Sequence, residues 1–362
     1  MSNFNTKTNT EKSKVAPIEI AIVGFGYWGR IISSNLTKCS SVNLRYICDS
    51  FDDNRTAARK TYPDTDAVAS LDEALADESL DLVVIATPTF SHFDLAKRTL
   101  EAGKHVFVEK PFVRTMAHAL ELKRLSEQVD RHIFVDHTFI FTPEVQEIKR
   151  MVQGGELGDI HMIDSCRMNF GKFQPDVNVA WDLGPHDLSI LSYILDEDPI
   201  AYYAEGSDSV GRGIEDTVHL SLKFEHDLTA YLHFSWISPR KERRMIISGS
   251  ERMLIYDDSE PEMKIRLYDS KLVTSEDPHS ARIDFRYETG NVTIRNVGGG
   301  QALVEEFHYV AKAVRGEVPH TMNTVDDAIW VLRALTRCDS ILRREQMSIN
   351  VGSTIYCDAD VA

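Results

Sequence analysis

The chain has 362 residues with 40 Lys and Arg against 56 Asp and Glu, a formal net charge of −16. No basic stripe offsets that charge, which argues against general nucleic-acid binding. The length exceeds what one core usually holds, so two domains are expected, and ordinary hydrophobic and charged fractions of 43% and 27% fit a globular enzyme.

Met1 to Lys14 is polar, lacks the apolar centre of a signal peptide, and reads as a disordered tail over residues 1–15. Ile18 to Val23 reads as a buried strand, followed at once by Gly24-Phe25-Gly26-Tyr27-Trp28-Gly29, a complete G-x-G-x-x-G, and by helical spacing from Arg30 to Lys38. The first glycine permits the tight turn, the second lets the backbone approach a pyrophosphate, and the third lets helix and strand pack closely. The phosphates would rest on the unpaired N–H groups of the helix start. A second strand, Asn43 to Cys48, ends in Asp49, where an acid accepts hydrogen bonds from an adenosine ribose. A carboxylate there repels a 2′-phosphate, so NAD is favoured. Arg55 and Arg59, further along the next helix, leave NADP open.

Strand and helix keep alternating: a strand over Asp81–Ala86, a helix over Ser91–Ala102 with Ser91 as N-cap, and a strand over His105–Val108. A helix over Thr115–Val129 and a strand over His132–Val135 follow. This pattern implies a parallel, doubly wound sheet with right-handed crossovers. Glu109-Lys110-Pro111 closes the strand at Val108. It places an ammonium group at the carboxyl edge of the sheet, where such folds bind ligands, on a backbone that proline restrains and at a bond where a cis peptide costs little. After a helix over Pro143–Val152 the pattern changes to alternating stretches at Ile160–Phe170, Thr217–Phe224, Thr229–Trp236, Met245–Ser248 and Lys264–Tyr268. These predict a large, mostly antiparallel sheet with one solvated face. Two helices, Ala302–Val314 and Val325–Leu342, close the chain. The expected division is a dinucleotide-binding domain over 16–136 and an α+β domain over 137–362.

Trp181-Asp182-Leu183-Gly184-Pro185-His186-Asp187 is the second chemical cluster. Gly184 before Pro185 reads as a helix start, with His186 in the first turn, where the dipole disfavours imidazolium. A neutral imidazole facing a cleft suits a general base, which Asp182 could orient. Asp187 reads as a first-turn acid. A metal held by Asp182, His186 and Asp187 is conceivable, but no further ligand cluster supports it, and none is expected. The five cysteines, Cys39, Cys48, Cys166, Cys338 and Cys357, lack C-x-x-C spacing and read as free thiols in a reducing compartment. No apolar run approaches a membrane span, so a cytoplasmic protein is expected.

Ala21-Ile22-Val23-Gly24-Phe25-Gly26-Tyr27-Trp28-Gly29, Ala86-Thr87-Pro88 with His92, and Gly103-Lys104-His105-Val106-Phe107-Val108-Glu109-Lys110-Pro111 resemble the glucose-fructose oxidoreductase, inositol dehydrogenase and MocA family. The resemblance covers nearly everything after the tail. It implies a Rossmann domain, then an open-sheet α+β domain that carries the substrate and often an oligomer interface, hence a homo-oligomer, dimer or tetramer. It also implies that Thr87, Pro88, His92 and Glu109 line the dinucleotide and that Lys110 reaches nicotinamide ribose and substrate. His92 has a competing reading as an ordinary first-turn helix residue.

Asp182 to His186 resembles the Asp-x-x-x-His motif that, with the Glu-Lys-Pro lysine, forms the catalytic set of the inositol dehydrogenase branch. The glycine pair that precedes the motif there is Asn178-Val179 here. The stretch Arg167 to Asn178 instead resembles relatives near sugar-nucleotide and polysaccharide pathways. The expectation is an NAD-dependent enzyme interconverting a ring hydroxyl and a ketone on a sugar, nucleotide-activated, with Lys110, His186 and Asp182 catalytic. Arg167, Lys172 and Asn178 complete the substrate-binding candidates. A diphosphate needs cations, from Arg167 and Lys172 or from Arg240-Lys241-Glu242-Arg243-Arg244, a run that also reads as a solvated hairpin. The alternatives are a free sugar, inositol or anhydrosugar enzyme, and a dinucleotide-binding regulator without turnover.

Overall fold

A computed structural model describes residues 16–171, 173–276 and 283–356. The tail over 1–15, Lys172 and Cys357 lie outside these residues. The chain alternates β1 (Ile18–Val23), α1 (Tyr27–Leu36), β2 (Val42–Cys48), α2 (Asp52–Thr61), β3 (Asp66–Val68), α3 (Leu71–Leu75) and β4 (Leu82–Ile85). It continues through α4 (His92–Glu101), β5 (His105–Val108), α5 (Met116–Val129) and β6 (Ile133–Val135). The strands pair in parallel in the order β3-β2-β1-β4-β5-β6. Strands β4, β5 and the edge strand β6 are almost wholly buried runs of Val, Ile, Leu and Phe because helices cover both faces. Strand order reverses between β1 and β4, so a crevice opens beyond their carboxyl ends, where Gly24 and Ala86–Thr87 lie. Ser91 stands before α4 but does not cap it. Its hydroxyl bonds to the Pro88 carbonyl and the Thr87 hydroxyl instead.

The second half comprises α6 (Pro143–Gln153), β7 (Ile160–Phe170), α7 (Val179–Leu195), β8 (Ala201–Ser207), β9 (Thr217–Lys223) and β10 (Thr229–Ser235). Then follow β11 (Ile237–Gly249), β12 (Met253–Asp257), β13 (Ile265–Glu276), β14 (Ile283–Arg295), α8 (Ala302–Val314) and α9 (Val325–Tyr356). Eight strands form one sheet, β14-β13-β12-β11-β7-β10-β9-β8, antiparallel except where β7 runs parallel to β10. Inward residues such as Ile163, Leu220, Leu232, Phe234, Ile247 and Leu254 share a core with α6, α7 and α9. The opposite face is open, with Tyr203 and Tyr231 62% and 46% exposed and His219 stacked on His233 at 4.1 Å.

Four strands escaped the sequence pattern: the three-residue β3 of the first sheet and three strands of the second. β8 (AYYAEGS) has little alternation, β12 is five residues long, and β14 is strongly polar. In β11 only the buried end was recognised, because the run Arg240 to Arg244 looks like a turn. It lies within a strand that carries a register shift between Ile237 and Glu242. The proposed domain division meets one complication. α8, late in the chain, puts Phe307, Val310 and Ala311 into the core of the first sheet, with Phe307 4.9 Å from Phe107.

Candidate active site

The glycine turn has the geometry its sequence demands. Gly24 has φ 93°, and a Cβ there would lie 2.7 Å from the Ala86 carbonyl oxygen; one on Gly29 would lie 1.9 Å from the Gly24 carbonyl oxygen. Beside Gly26, by contrast, a Cβ would meet nothing within 4 Å, and the start of α1 has no side-chain cap. Open space beside uncapped N–H groups fits the diphosphate of a dinucleotide. Tyr27 and Trp28 are exposed at the turn, rings edge to face at 5.6 Å. Phe25 differs from expectation: its ring is buried in the core, so only its backbone borders the crevice.

Asp49 stands at the end of β2, where an adenosine ribose would be held, but it is 7% exposed and tied into the loop. Its oxygens accept from the amides of Phe25 (2.7 Å) and Phe51 (2.8 Å) and from Asn54 Nδ2 (3.1 Å). Arg55 does not swing toward the crevice. Its Nη1 donates to the carbonyls of Asp49 and Ser50, and its Nη2 pairs with Asp52. Arg59 donates to the Ala67 carbonyl.

Thr87 and Pro88 border the crevice beyond β4. His92 takes the first position of α4 and is buried. Its Nδ1 lies 3.1 Å from the carbonyls of Pro111 and Phe112, and its Nε2 lies 2.8 Å from that of Thr87. It therefore ties the loop after β4 to the loop after β5, and all of its ring nitrogens are engaged there. Burial lowers its pKa.

Lys110 leaves β5 just before a cis bond to Pro111 and reaches α7, with Nζ 2.9 Å from the Asp182 carbonyl oxygen and 3.8 Å from its carboxylate. Behind it lies a group that the sequence did not reveal. Glu109 and Asp136 end the adjacent strands β5 and β6, both buried, with their carboxyls within hydrogen-bond reach of each other. Glu306, from α8, accepts from Thr138 Oγ1 (2.7 Å) and Asn323 Nδ2 (2.9 Å). Burial, then the charge of Asp136, pushes the Glu109 and Glu306 carboxyls well up, and burial raises Asp136 itself. Glu109 Oε1 has no donor from the protein, which a proton shared with Asp136 would satisfy.

The local reading of α7 needs correction. The helix begins at Val179, six residues before Pro185, with Asn178 as N-cap accepting from the Trp181 amide (3.3 Å). Pro185 sits inside the helix and cannot donate to the Trp181 carbonyl, at a cost normally near 3 kcal/mol. His186 is thus beyond the first turn, and the dipole argument fails. Its pKa is still well below the ordinary value, through burial first and then the charges of Lys110, Arg167, Arg243 and His137. The ring faces Phe139 edge to face at 5.1 Å. Asp182 Oδ2 accepts from Trp236 Nε1 at 3.0 Å, so this carboxylate is oriented by a residue on the far sheet.

Asp187 is no first-turn acid. It forms a buried two-point pair with Arg167, with Nε and Nη2 at 3.0 and 2.8 Å. Arg167, expected to meet substrate, is 4% exposed and committed to that pair. Asn178 is likewise occupied, donating to Glu215 (3.3 Å) and Asp339 (3.1 Å) besides its cap. Lys172 lies outside the described residues. Among those residues no group of His, Cys, Asp or Glu could hold a metal ion, and Cys39, Cys48, Cys166 and Cys338 are buried and unpaired. Sequence reasoning missed Asp136, Phe139, Trp236 and Glu306. None sits in a spaced motif, and only pairing of β6 beside β5 brings Asp136 to Glu109.

Two family models match the chain. The NAD-binding Rossmann fold of the oxidoreductase family matches residues 18–137, and the GFO/IDH/MocA C-terminal domain matches residues 145–255. The chain belongs to this oxidoreductase family. The uncharacterized oxidoreductase YdgJ of Escherichia coli is 27% identical, across 86% of this chain and 88% of its own. The scyllo-inositol 2-dehydrogenase (NADP(+)) IolW of Bacillus subtilis is 26% identical, across 67% of this chain and 70% of its own. The structure of UDP-N-acetylglucosamine 3-dehydrogenase GnnA from Acidithiobacillus ferrooxidans superposes with a TM-score of 0.73 at 21% identity, covering 91% of this chain and 98% of that one, a likeness of fold. Among the described residues no helix is long and apolar enough to cross a membrane.

The carboxyl pair gives a testable sign. A carboxyl whose folded pKa is raised contributes stability that is complete below its unfolded pKa, near 4, and lost as pH rises through the folded value. Asp136→Asn supplies Glu109 with an amide donor that does not titrate. The variant should gain stability relative to the parent by roughly 1–3 kcal/mol between pH 5 and pH 8. Urea unfolding across that range measures it, and parallel pH curves would exclude a shared proton.

Proposed function

We propose that the protein is an NAD-dependent oxidoreductase that interconverts a ring hydroxyl and a ketone on a sugar, nucleotide-activated. The observation that carries the reading is the approach of Lys110 Nζ to Asp182, one helical turn before His186. It sets a cation and an imidazole together at the sheet edge onto which the glycine turn opens. A bound nicotinamide would supply the hydride acceptor, or the donor in reverse. His186, held neutral, takes the hydroxyl proton as a general base. Lys110 stabilises the charge developing on the oxygen in a site from which water is largely excluded. Asp182 positions Lys110 through its carbonyl, while its carboxylate is held by Trp236. Because the cations around half-buried His186 oppose a further positive charge, the accepted proton passes on to solvent.

The sugar-nucleotide assignment is supported by the stretch from Arg167 to Asn178 and by the substrate in the name of GnnA. A free polyol reading has its own support, the scyllo-inositol in the name of IolW. Following reduced-nicotinamide absorbance with UDP-sugars against free sugars and inositols separates the two. A regulator without turnover would need neither Lys110 nor His186. It is favoured only if dinucleotide binds and no member of that panel reacts.

Lys110→Ala and His186→Ala should each leave the fold and NADH binding largely intact, because the diphosphate is gripped at Gly24 to Gly29. Turnover should fall by roughly 10²–10⁴-fold without the base and about 10²–10³-fold without the lysine. Near-normal steady-state rates in both variants would refute the assignment. On the cofactor, the carboxylate of Asp49 and the engagement of Arg55 within its own loop support NAD(H) over NADP(H). Fluorescence titration should show tighter NADH binding, with the preference narrowed in Asp49→Ser; tighter NADPH binding by the unaltered protein would reverse this choice. The open sheet face, with its exposed tyrosines, is where we place contact between copies, as a dimer or tetramer. Light scattering that returns a single-chain mass at micromolar concentration would rule that out.

A further inference from the structure

Arg243 has no part in the mechanism above, yet it lies against its centre. In β11 the side chains of Met245 and Ile247 point into the core, and the alternation continues to Arg243, directly across from Arg167 in β7. The two guanidinium groups lie side by side against Phe139, with Cζ 4.6 Å (Arg167) and 5.7 Å (Arg243) from the ring centroid. The same ring meets His186 at 5.1 Å. The charge of Arg243 is among those that hold the imidazole neutral.

The two arginines differ in what they have left to offer. Arg167 is sealed in its two-point pair with Asp187. Arg243 remains 35% exposed, and among the described residues its side chain makes one hydrogen bond, from Nη1 to Asp258 Oδ2 at 3.1 Å, which leaves Nε and Nη2 uncommitted there. Asp258 is not held by Arg243 alone, because its other oxygen takes Lys264 Nζ at 3.2 Å. An anion arriving at Arg243 would therefore not strand that carboxylate. Close by, among the charges of Asp258, Arg167 and Asp187, the buried Tyr256 hydroxyl has no partner. Burial, then the charge of Asp258, raises its pKa, so it stays a donor. Surplus donors beside a reacting group call for an acceptor.

We propose that Arg243 is a specificity-determining residue that takes an anionic oxygen group of the substrate, a phosphate or a carboxylate, beside His186. The proposal rests on the sugar oxidoreductase reading and narrows it to anionic sugars. A planar guanidinium stacked near an aromatic ring is pre-organised for such a group, and its charge would draw the substrate in as well as orient it. A neutral polyol would leave those donors unanswered.

The test is calorimetric titration of the NADH-loaded protein with three probes: UDP, glucuronate and myo-inositol. At least one anionic probe should bind more tightly than inositol. Arg243→Gln should weaken it by about ten- to a hundredfold, the worth of one charge-assisted contact, and Arg243→Lys should restore part. Loss confined to UDP identifies a phosphate, and loss confined to glucuronate a carboxylate. Arg244→Gln, one residue along and on the other face of the sheet, should bind as the parent does. Equal binding of all three probes, or of the anionic probes by parent and Arg243→Gln, would overturn the proposal. Should Arg243→Gln not fold, the salt dependence of the parent decides: anionic-probe affinity that ignores ionic strength counts against it. Failure to bind either NADH or NADPH would instead count against turnover by this protein, and the same comparison on the unliganded protein would still judge Arg243.

Discussion

Lys110 on the Asp182 carbonyl is the contact on which the rest of the arrangement depends. It bridges the carboxyl edge of the first sheet and the helix that lines the second. Without it no ammonium would be held at α7, and the cations beside His186 would be the arginines alone. Both ends of the bridge are braced. On one side His92 fixes the loop that follows Lys110. On the other, Pro185 interrupts the backbone bonding of α7, and Trp236 holds the Asp182 carboxylate in place. A long ammonium side chain normally loses much rotamer freedom when ordered. Here that loss is spread over contacts that order the site as a whole.

Charge around this bridge is arranged in two opposed layers. Beneath Lys110 lie Glu109, Asp136 and Glu306, carboxyls that burial drives toward their neutral forms. Beyond it, around His186, lie Arg167 and Arg243, which together with Lys110 drive the imidazole toward its neutral form as well. Burial is the leading cause on both sides, and the neighbouring charges reinforce it. The interior therefore carries fewer net charges than its titratable residues suggest. Arg167 and Asp187 meet instead as a matched, two-point pair.

The two halves are also less separate than their sheets suggest. α8 follows the last strand of the second sheet but fills the core of the first, and its Glu306 contributes to the carboxyl group under Lys110. A chain that returns in this way ties the geometry of the crevice to the closing helices. It also explains why acids distant in sequence meet near Lys110.

The sequence by itself determined five of the six strands of the first sheet, the glycine turn, and the strand ends that present Asp49, Thr87 and Lys110. Each of these rests on local rules: period, turn chemistry, and the parallel edge at which such folds bind ligands. It also set Asp182 and His186 four residues apart, although not where their helix begins. Asn178, the cap, resembles any polar loop residue until the helix is seen, while Gly184-Pro185 imitates a start. Only the tertiary structure decided which charges are free. Arg167 and Arg243 are alike in sequence, and pairing of β7 with β11 sets them side by side. Asp187 then buries one and leaves the other at the cleft. Asp136 and Glu306 came to Glu109 in the same way, through strand order and helix return. Contacts between residues far apart in the chain leave no period or spacing in it, so packing alone could assign them.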